Sequence, residues 1–372
     1  MIDERALLAA ERPDLVVLDT PELNAECPAH LLDDDVTPIE RLFVRNSGRA
    51  PDLTPTEIAS WTLRIDGCVR KPQTWTIGAL KRDFAAVTQR SVIECAGNGR
   101  AFFRDPTGTV MWTVGGVGCP AWTGVRLAEL LQQCEPLSTA VYTGHHSPDR
   151  DLDGVRPAIS RGVPIAKALA PETLVAWAIN DAPMPFLQGG PLRLIAPGFP
   201  GSASQKWLRR IEVRDCVHDG RRMKGLNYRL PHIPVPYGGP IDPAQFDVIT
   251  DMPVKSLITS PRDGFSAPAG RPLAVRGHAW GGHTPVAAVD VSIDGGHSWQ
   301  PADLGPLPDR FAWRRFTGTF ADPPAGPVEI VARATDAAGR MQPLDCVPWN
   351  PRGYCNNMVH RISGRLHKSR RV

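Results

Sequence analysis

The sequence predicts an α+β domain followed by an all-β sandwich of immunoglobulin-like type, and three observations support this. At 372 residues the chain is too long for one ordinary core and short for three. Up to about residue 250 it mixes short helical stripes with short strands, and beyond that only strands occur, at the spacing of a sandwich. Between the two patterns, residues 231–253 hold many Pro, Gly and Asp and few periodic apolar positions, as a linker or surface excursion does. The expected domains are therefore 1–250 and 251–372.

Taken in order, residues 1–40 carry many Asp, Glu and Pro with little periodicity and are expected to wrap the surface. Residues 42–48 read as an apolar strand ending in a turn with Arg45 at its tip. Residues 61–67 alternate as a strand, and Ile77, Leu80 and Phe84 share one face of a short helix. Residues 91–94 and 111–114 read as strands. Leu127, Leu130, Leu131 and Cys134 mark the buried stripe of a helix entered near Trp122-Thr123-Gly124. A helix over 163–169, a buried strand over 174–179 and a turn at Asn180-Asp181 follow. Residues 218–231 are polar and glycine-bearing, hence loop. In the sandwich, Leu273, Val275 and Gly277 alternate, as do Val289, Val291 and Ile293, and then Val328, Ile330, Ala332 and Ala334.

Composition excludes several classes of function. A net charge of +3 with 22% charged residues, and no long polybasic run, argues against nucleic acid or an anionic membrane as partner. The cluster Lys368-Ser369-Arg370-Arg371 is a terminal tail. No window reaches the ~18 to 20 apolar residues of a membrane span. The start, Met1-Ile2-Asp3-Glu4-Arg5, lacks the pattern of a secretory signal, so the chain as written reads as cytoplasmic, or periplasmic if a signal has been removed. Eight cysteines without a C-x-x-C pair form neither a disulfide framework nor a structural zinc site, and most read as core residues.

The chemistry concentrates in residues 91–100, where an apolar strand runs into a glycine-bearing loop and leaves one thiol, Cys95, at the strand end. Alone, Cys95 could be a small buried hydrophobe or a thiolate offered to a metal. Gly97 and Gly99 allow close backbone approach, Asn98 tolerates a sharp turn, and Arg100 presents a fork for an oxyanion. Gly116 to Ala121 formally fits a dinucleotide fingerprint with Glu135 as its acid, but Pro120 interrupts the loop and no βαβ spacing supports it. His145 and His146 are adjacent and point to opposite faces of an extended segment, so they read as loop polar residues rather than as a metal pair. By themselves Arg45 would be a solvated loop cation, Arg193 a cation on an edge strand and Tyr228 an amphipathic phenol at a domain edge.

The run Cys95-Ala96-Gly97-Asn98-Gly99-Arg100 resembles the Cys-Ala-Gly-Asn-x-Arg motif of the sulfite oxidase family, and the resemblance extends from about residue 41 to about 362. It implies a sulfite oxidase-like, molybdopterin-binding first domain, with Cys95 the protein ligand to molybdenum. It further implies that Arg45 faces substrate, with Asn46 and Ser47 beside the pterin and Ser47 standing where relatives have His. Arg193, Ser204, Gln205 and Lys206 would hold the pterin and its phosphate, and Gln188 again replaces a histidine. One of Asp149, Asp151 and Asp153 would touch the pterin. Tyr228, in Tyr228-Arg229-Leu230-Pro231, would bring its phenol to the metal site, Trp112 would wall the pocket, and Arg100 and Arg352 would join Arg45 around the anion. Residues 289–299 resemble the family's dimerisation domain, so a homodimer is expected. The implied reaction is oxidation of sulfite to sulfate, with electrons leaving to an external acceptor such as a c-type cytochrome, since no haem motif is visible. The alternatives are a reductase of nitrate or another small oxyanion and, third, a cofactor-free binding protein.

Overall fold

The structure, a computed structural model, describes residues 3–105 and 110–368, so the first two residues and the tail beyond Lys368 lie outside the described residues. Two five-stranded sheets build the first part of the fold. One runs Gly162–Pro164, Tyr142–His146, Arg210–Arg214, Thr62–Gly67 and Gln73–Thr76, with Arg210–Arg214 parallel to Thr62–Gly67 and the other neighbours antiparallel. The other centres on Leu174–Ile179, which pairs with Ala121–Arg126, Ala182–Pro183 and Arg193–Ile195. Between them lies one apolar core that includes Trp61, Ile65, Val125, Val175, Leu194 and Ile211. The Leu127–Cys134 helix seals it with Leu127, Leu130, Leu131 and Cys134, the stripe read from the sequence. The chain reaches that helix through the Ala121–Arg126 strand, which replaces the helix entry expected near Trp122.

From Lys255 onward a four-stranded and a five-stranded sheet enclose a second core around Ile258, Val275, Val291, Phe316 and Ile330. The strands Leu273–Trp280, Val286–Ser292 and Gly326–Asp336 contain nearly all the alternating positions, with Ile293 one residue past its strand. Among the described residues no helix is long and apolar enough to cross a membrane.

Several expectations are corrected. The first 40 residues do not merely wrap the surface. They form the Glu4–Glu11 helix and the strands Val16–Val17 and Asn24–Glu26, and bury Leu8, Leu23, Ala25 and Leu32 against Leu257 and Trp280 of the sandwich. Residues 111–114 form no strand, because the Thr113 N–H and hydroxyl donate to the buried Glu26 carboxylate, at 2.9 and 2.7 Å, instead of to a neighbouring ladder. His145 and His146 are not in a loop but end the Tyr142–His146 strand, where His145 is fully buried and held well below the usual histidine pKa by burial first, then by His218, His146 and Arg161. Only Val44–Arg45 of residues 42–48 is strand, and the helix expected over 163–169 begins at Ile165 because Gly162–Pro164 joins a sheet edge. Arg229–Pro231 pairs with Phe246–Val248, so the loop and linker meet in a two-stranded ribbon.

Candidate active site

Cys95 follows directly on a short ladder, Ile93–Glu94 paired with Val117–Gly118, and its own N–H donates to the Gly116 carbonyl at 2.9 Å. There the chain turns out of the sheet. The Asn98 N–H closes on the Cys95 carbonyl at 2.9 Å, while the Asn98 side chain accepts from the Gly116 N–H and donates to Glu94, both at 3.0 Å. Gly99 takes φ +93, and a Cβ there would lie 2.9 Å from that of Asn356, so the loop requires glycine twice over. Gly97 leaves the space in which the Arg100 guanidinium lies, 2.6 Å from where a Cβ would be.

Cys95 opens into one cavity, and all nine residues expected to hold the cofactor line it: Arg45, Asn46, Ser47, Cys95, Gln188, Arg193, Ser204, Gln205 and Lys206. Tyr228 lines it too, buried, with φ +51. Gln188 shows how this chain manages without a histidine. Its amide donates to the Phe43 carbonyl at 2.9 Å and accepts from Arg193 at 3.1 Å, bridging a buried cation to the Val44–Arg45 segment. The Ser47 carbonyl accepts from Arg222 at 2.9 Å. Of the three candidate acids, Asp149 alone lines the cavity. Asp151 is tied to Arg156 and Arg221, and Asp153 is exposed.

Arg100, Arg352 and Trp112 stand one layer back. Arg100 donates to the carbonyls of Arg352 and Val110, at 2.8 and 2.7 Å, and lies over the Tyr354 ring. Trp112 is fully buried, edge-on to Phe43, and it is Phe43 that meets the cavity. Tyr354 stacks on Tyr228 at 5.3 Å between ring centres, and the Arg161 guanidinium lies over the Tyr228 ring at 4.4 Å. Arg161 and Tyr354 were not singled out from the sequence. Tyr354 is two residues from Arg352, whereas Arg161 carried no signal.

The electrostatics are those of an anion cradle. Burial brings Arg193 down to about 9, and burial together with Arg193 and Arg12 pushes Lys206 well below the usual lysine value, with only Glu4 opposing. Burial also works against the Arg45 charge, but Tyr228, Cys95, Glu22 and Tyr354 hold its pKa raised. Buried guanidinium and ammonium groups with so little counter-charge are stabilised by an anionic group placed among them. The Ser202 hydroxyl and the Trp207 indole N–H, both on cavity-lining residues, are buried without a hydrogen-bond partner. Cations, orphaned polar atoms and a thiol thus fit a phosphorylated, metal-bearing pterin.

Asp149 supplies a pH test. Burial raises its pKa from 3.8 to about 6, against the Ser147 hydrogen bond and the Lys206 charge. A raised carboxyl contributes its full stability below pH 3.8 and loses it as pH rises through about 6. Asp149→Asn should therefore stabilise the cofactor-free chain at pH 8, by on the order of 3 kcal/mol at most, with the gain appearing between about pH 4 and 7. Urea unfolding of both proteins at pH 5 and pH 8 checks this, and a pH-independent difference contradicts it.

Comparison with known proteins agrees with this geometry. Residues 49–221 match the oxidoreductase molybdopterin binding domain and residues 246–366 the Mo-co oxidoreductase dimerisation domain. The chain is 31% identical to chicken (Gallus gallus) sulfite oxidase over 363 residues, 94% of this chain and 77% of that protein. It is 27% identical to the NADPH nitrate reductase of Aspergillus niger over 377 residues, 91% of this chain and 43% of that one. It spans 65% of the human mitochondrial sulfite oxidase. Its fold matches that of the sulfane dehydrogenase SoxCD from Paracoccus pantotrophus with a TM-score of 0.78 at 23% identity, over 99% of this chain and 95% of that one. The cysteine loop, the cation-lined cavity and the likeness along nearly the whole chain lead to one assignment: the chain is an enzyme of the sulfite oxidase family of molybdopterin-dependent oxidoreductases, with molybdenum-molybdopterin as its cofactor.

Proposed function

We propose that this enzyme oxidises sulfite to sulfate and passes the electrons to an external acceptor, for which a c-type cytochrome is suited. The observation that carries the proposal is the meeting of Cys95, Arg45 and Tyr228 in one cavity whose cations outnumber its acids. When bound, the molybdenum cofactor supplies the oxygen-atom transfer and the two-electron redox change. Arg193, Ser204, Gln205 and Lys206 would hold its pterin and phosphate, with the Lys206 ammonium donating to the Asn46 side-chain oxygen at 2.8 Å. Cys95 would hold the metal through its thiolate. Arg45 would draw in the small oxyanion and orient it with a forked guanidinium, and Tyr228 would donate its phenol O–H to an oxygen of that anion. Arg161 over the Tyr228 ring and Tyr354 stacked on it hold that phenol in place.

Arg352 and Arg100 act from behind the Tyr228–Tyr354 pair, completing the positive field around the anion without themselves lining the cavity. Residues 1–250 serve as the catalytic domain and 251–372 as the dimerisation domain. A two-fold dimer is the expected assembly, checked by light scattering at micromolar concentration, where a mass of about 40.5 kDa would contradict it.

The function is tested by assaying one molybdenum-loaded preparation with sulfite plus an artificial one-electron acceptor and with nitrate plus a reduced dye. Sulfite-dependent turnover is expected. Turnover of nitrate alone would instead favour the reductase reading that the Aspergillus niger likeness raises, and inertness to both would point to another substrate.

A further inference from the structure

A buried ion pair ties the sandwich to the residue just before Cys95. Lys255, at the start of the Lys255–Ser260 strand, places its Nζ 2.7 Å from Glu94 Oε1 and donates to the Asn98 carbonyl at 3.1 Å. Trp280, the last residue of the Leu273–Trp280 strand, donates its indole N–H to Glu94 Oε2 at 2.9 Å. Both carboxylate oxygens of Glu94, 2% exposed, thus receive a donor from beyond residue 254. Two further bonds come from the same side. The Cys355 N–H donates to the Ala96 carbonyl at 2.8 Å, and the Asn356 amide to the Gly99 carbonyl at 3.0 Å. Residues 94, 96, 98 and 99 are each held from the sandwich side, while the Cys95 backbone bonds only to Gly116 and Asn98.

This pattern exceeds what packing two units together requires. An exposed ion pair adds little, whereas a carboxylate sealed from water beside a metal-ligating thiol moves that thiol if it loses its partner. The direction of a metal ligand is set by the hydrogen bonds around it as much as by the ligand itself.

We propose that Lys255 and Trp280 are positioning residues for the metal-ligating thiolate, so that the sandwich completes the ligand loop of the catalytic unit in addition to any role in assembly. The inference rests on the reading of Cys95 as the metal ligand. It is specific to the Glu94 carboxylate, the one group both residues grip.

The test uses the molybdenum-loaded enzyme and three variants, reading the EPR spectrum of the one-electron-reduced metal beside steady-state kinetics and metal content. Lys255→Met should shift the g-values and lower kcat by ~10 to 100-fold with KM for sulfite within about threefold, the signature of a displaced ligand rather than a damaged anion site. Lys255→Arg, which keeps the charge and a donor, should restore most of kcat and the wild-type g-values. Should Lys255→Met fail to fold, Trp280→Phe decides, because it keeps an aromatic side chain and removes the N–H donor. It should shift the g-values in the same sense, with a smaller loss of kcat.

A folded, metal-loaded Lys255→Met or Trp280→Phe protein with wild-type g-values and kcat overturns the proposal, even if its melting temperature falls. Cys95→Ser, measured alongside, separates the two readings. Unchanged g-values there would sink Cys95 as the ligand, whatever Lys255 does.

Discussion

Cys95→Ser is expected to abolish turnover while the fold stays intact. A serine hydroxyl is a hard, weakly acidic donor and a poor substitute for a soft thiolate on molybdenum. The loss should exceed the ~10 to 100-fold typical of outer-shell substitutions around a metal. The loop itself does not depend on sulfur, because its shape rests on the Gly116, Asn98 and Cys355 backbone bonds and on the Glu94 carboxylate. The exchange is nearly isosteric, so a change of about 1 kcal/mol should move the melting temperature by only a few degrees in a chain of this size. Pterin should still be recovered from the variant, since Arg193, Ser204, Gln205 and Lys206 are untouched. Activity assay, circular dichroism and pterin analysis of one preparation check all three statements. Undiminished turnover would sink the assignment.

Arg45→Met is the second large effect, and it falls on substrate rather than on metal. Arg45 shares the cavity with Cys95 and Tyr228. A charge-assisted forked contact is worth ~1.5 to 3 kcal/mol, so its loss should raise KM for sulfite by ~10 to 150-fold with molybdenum content unchanged. Arg352→Met should do less, under about tenfold, because Arg352 is half-buried beside Tyr354 rather than on the cavity wall. Steady-state kinetics of both variants rank the two arginines. A larger KM effect at Arg352 than at Arg45 would contradict the placement of the anion.

Where the chain carried its own periodicity, the sequence was enough. The Leu127–Cys134 stripe and the Leu174–Ile179 strand were legible because burial and hydrogen bonding there follow one regular repeat. The nine expected residues that line the cavity were legible through the resemblance to the sulfite oxidase family, since by themselves Arg45 and Arg193 read as ordinary cations. What stayed hidden depends on partners remote in the chain. Residues 111–114 look like a strand but spend their donors on Glu26, 87 residues away. The first 40 residues look irregular because their apolar positions, drawn from a short helix, short strands and turns, enter one cluster with Leu257 and Trp280, so no period appears. Asp149 could not be chosen over Asp151 because both are acids in one short stretch, and they are separated by the cavity that Asp149 lines and by the Arg156 and Arg221 contacts of Asp151. Arg161 was invisible for the same reason, as its significance lies in a ring 67 residues further on.

The most direct measurement of the central claim is X-ray absorption at the molybdenum edge on the purified enzyme and on Cys95→Ser, with the metal content of each determined. A cavity built as described predicts molybdenum in the wild type with one sulfur neighbour more than in the serine variant, because Cys95 contributes that sulfur. An equal sulfur count in two metal-bearing samples would contradict it.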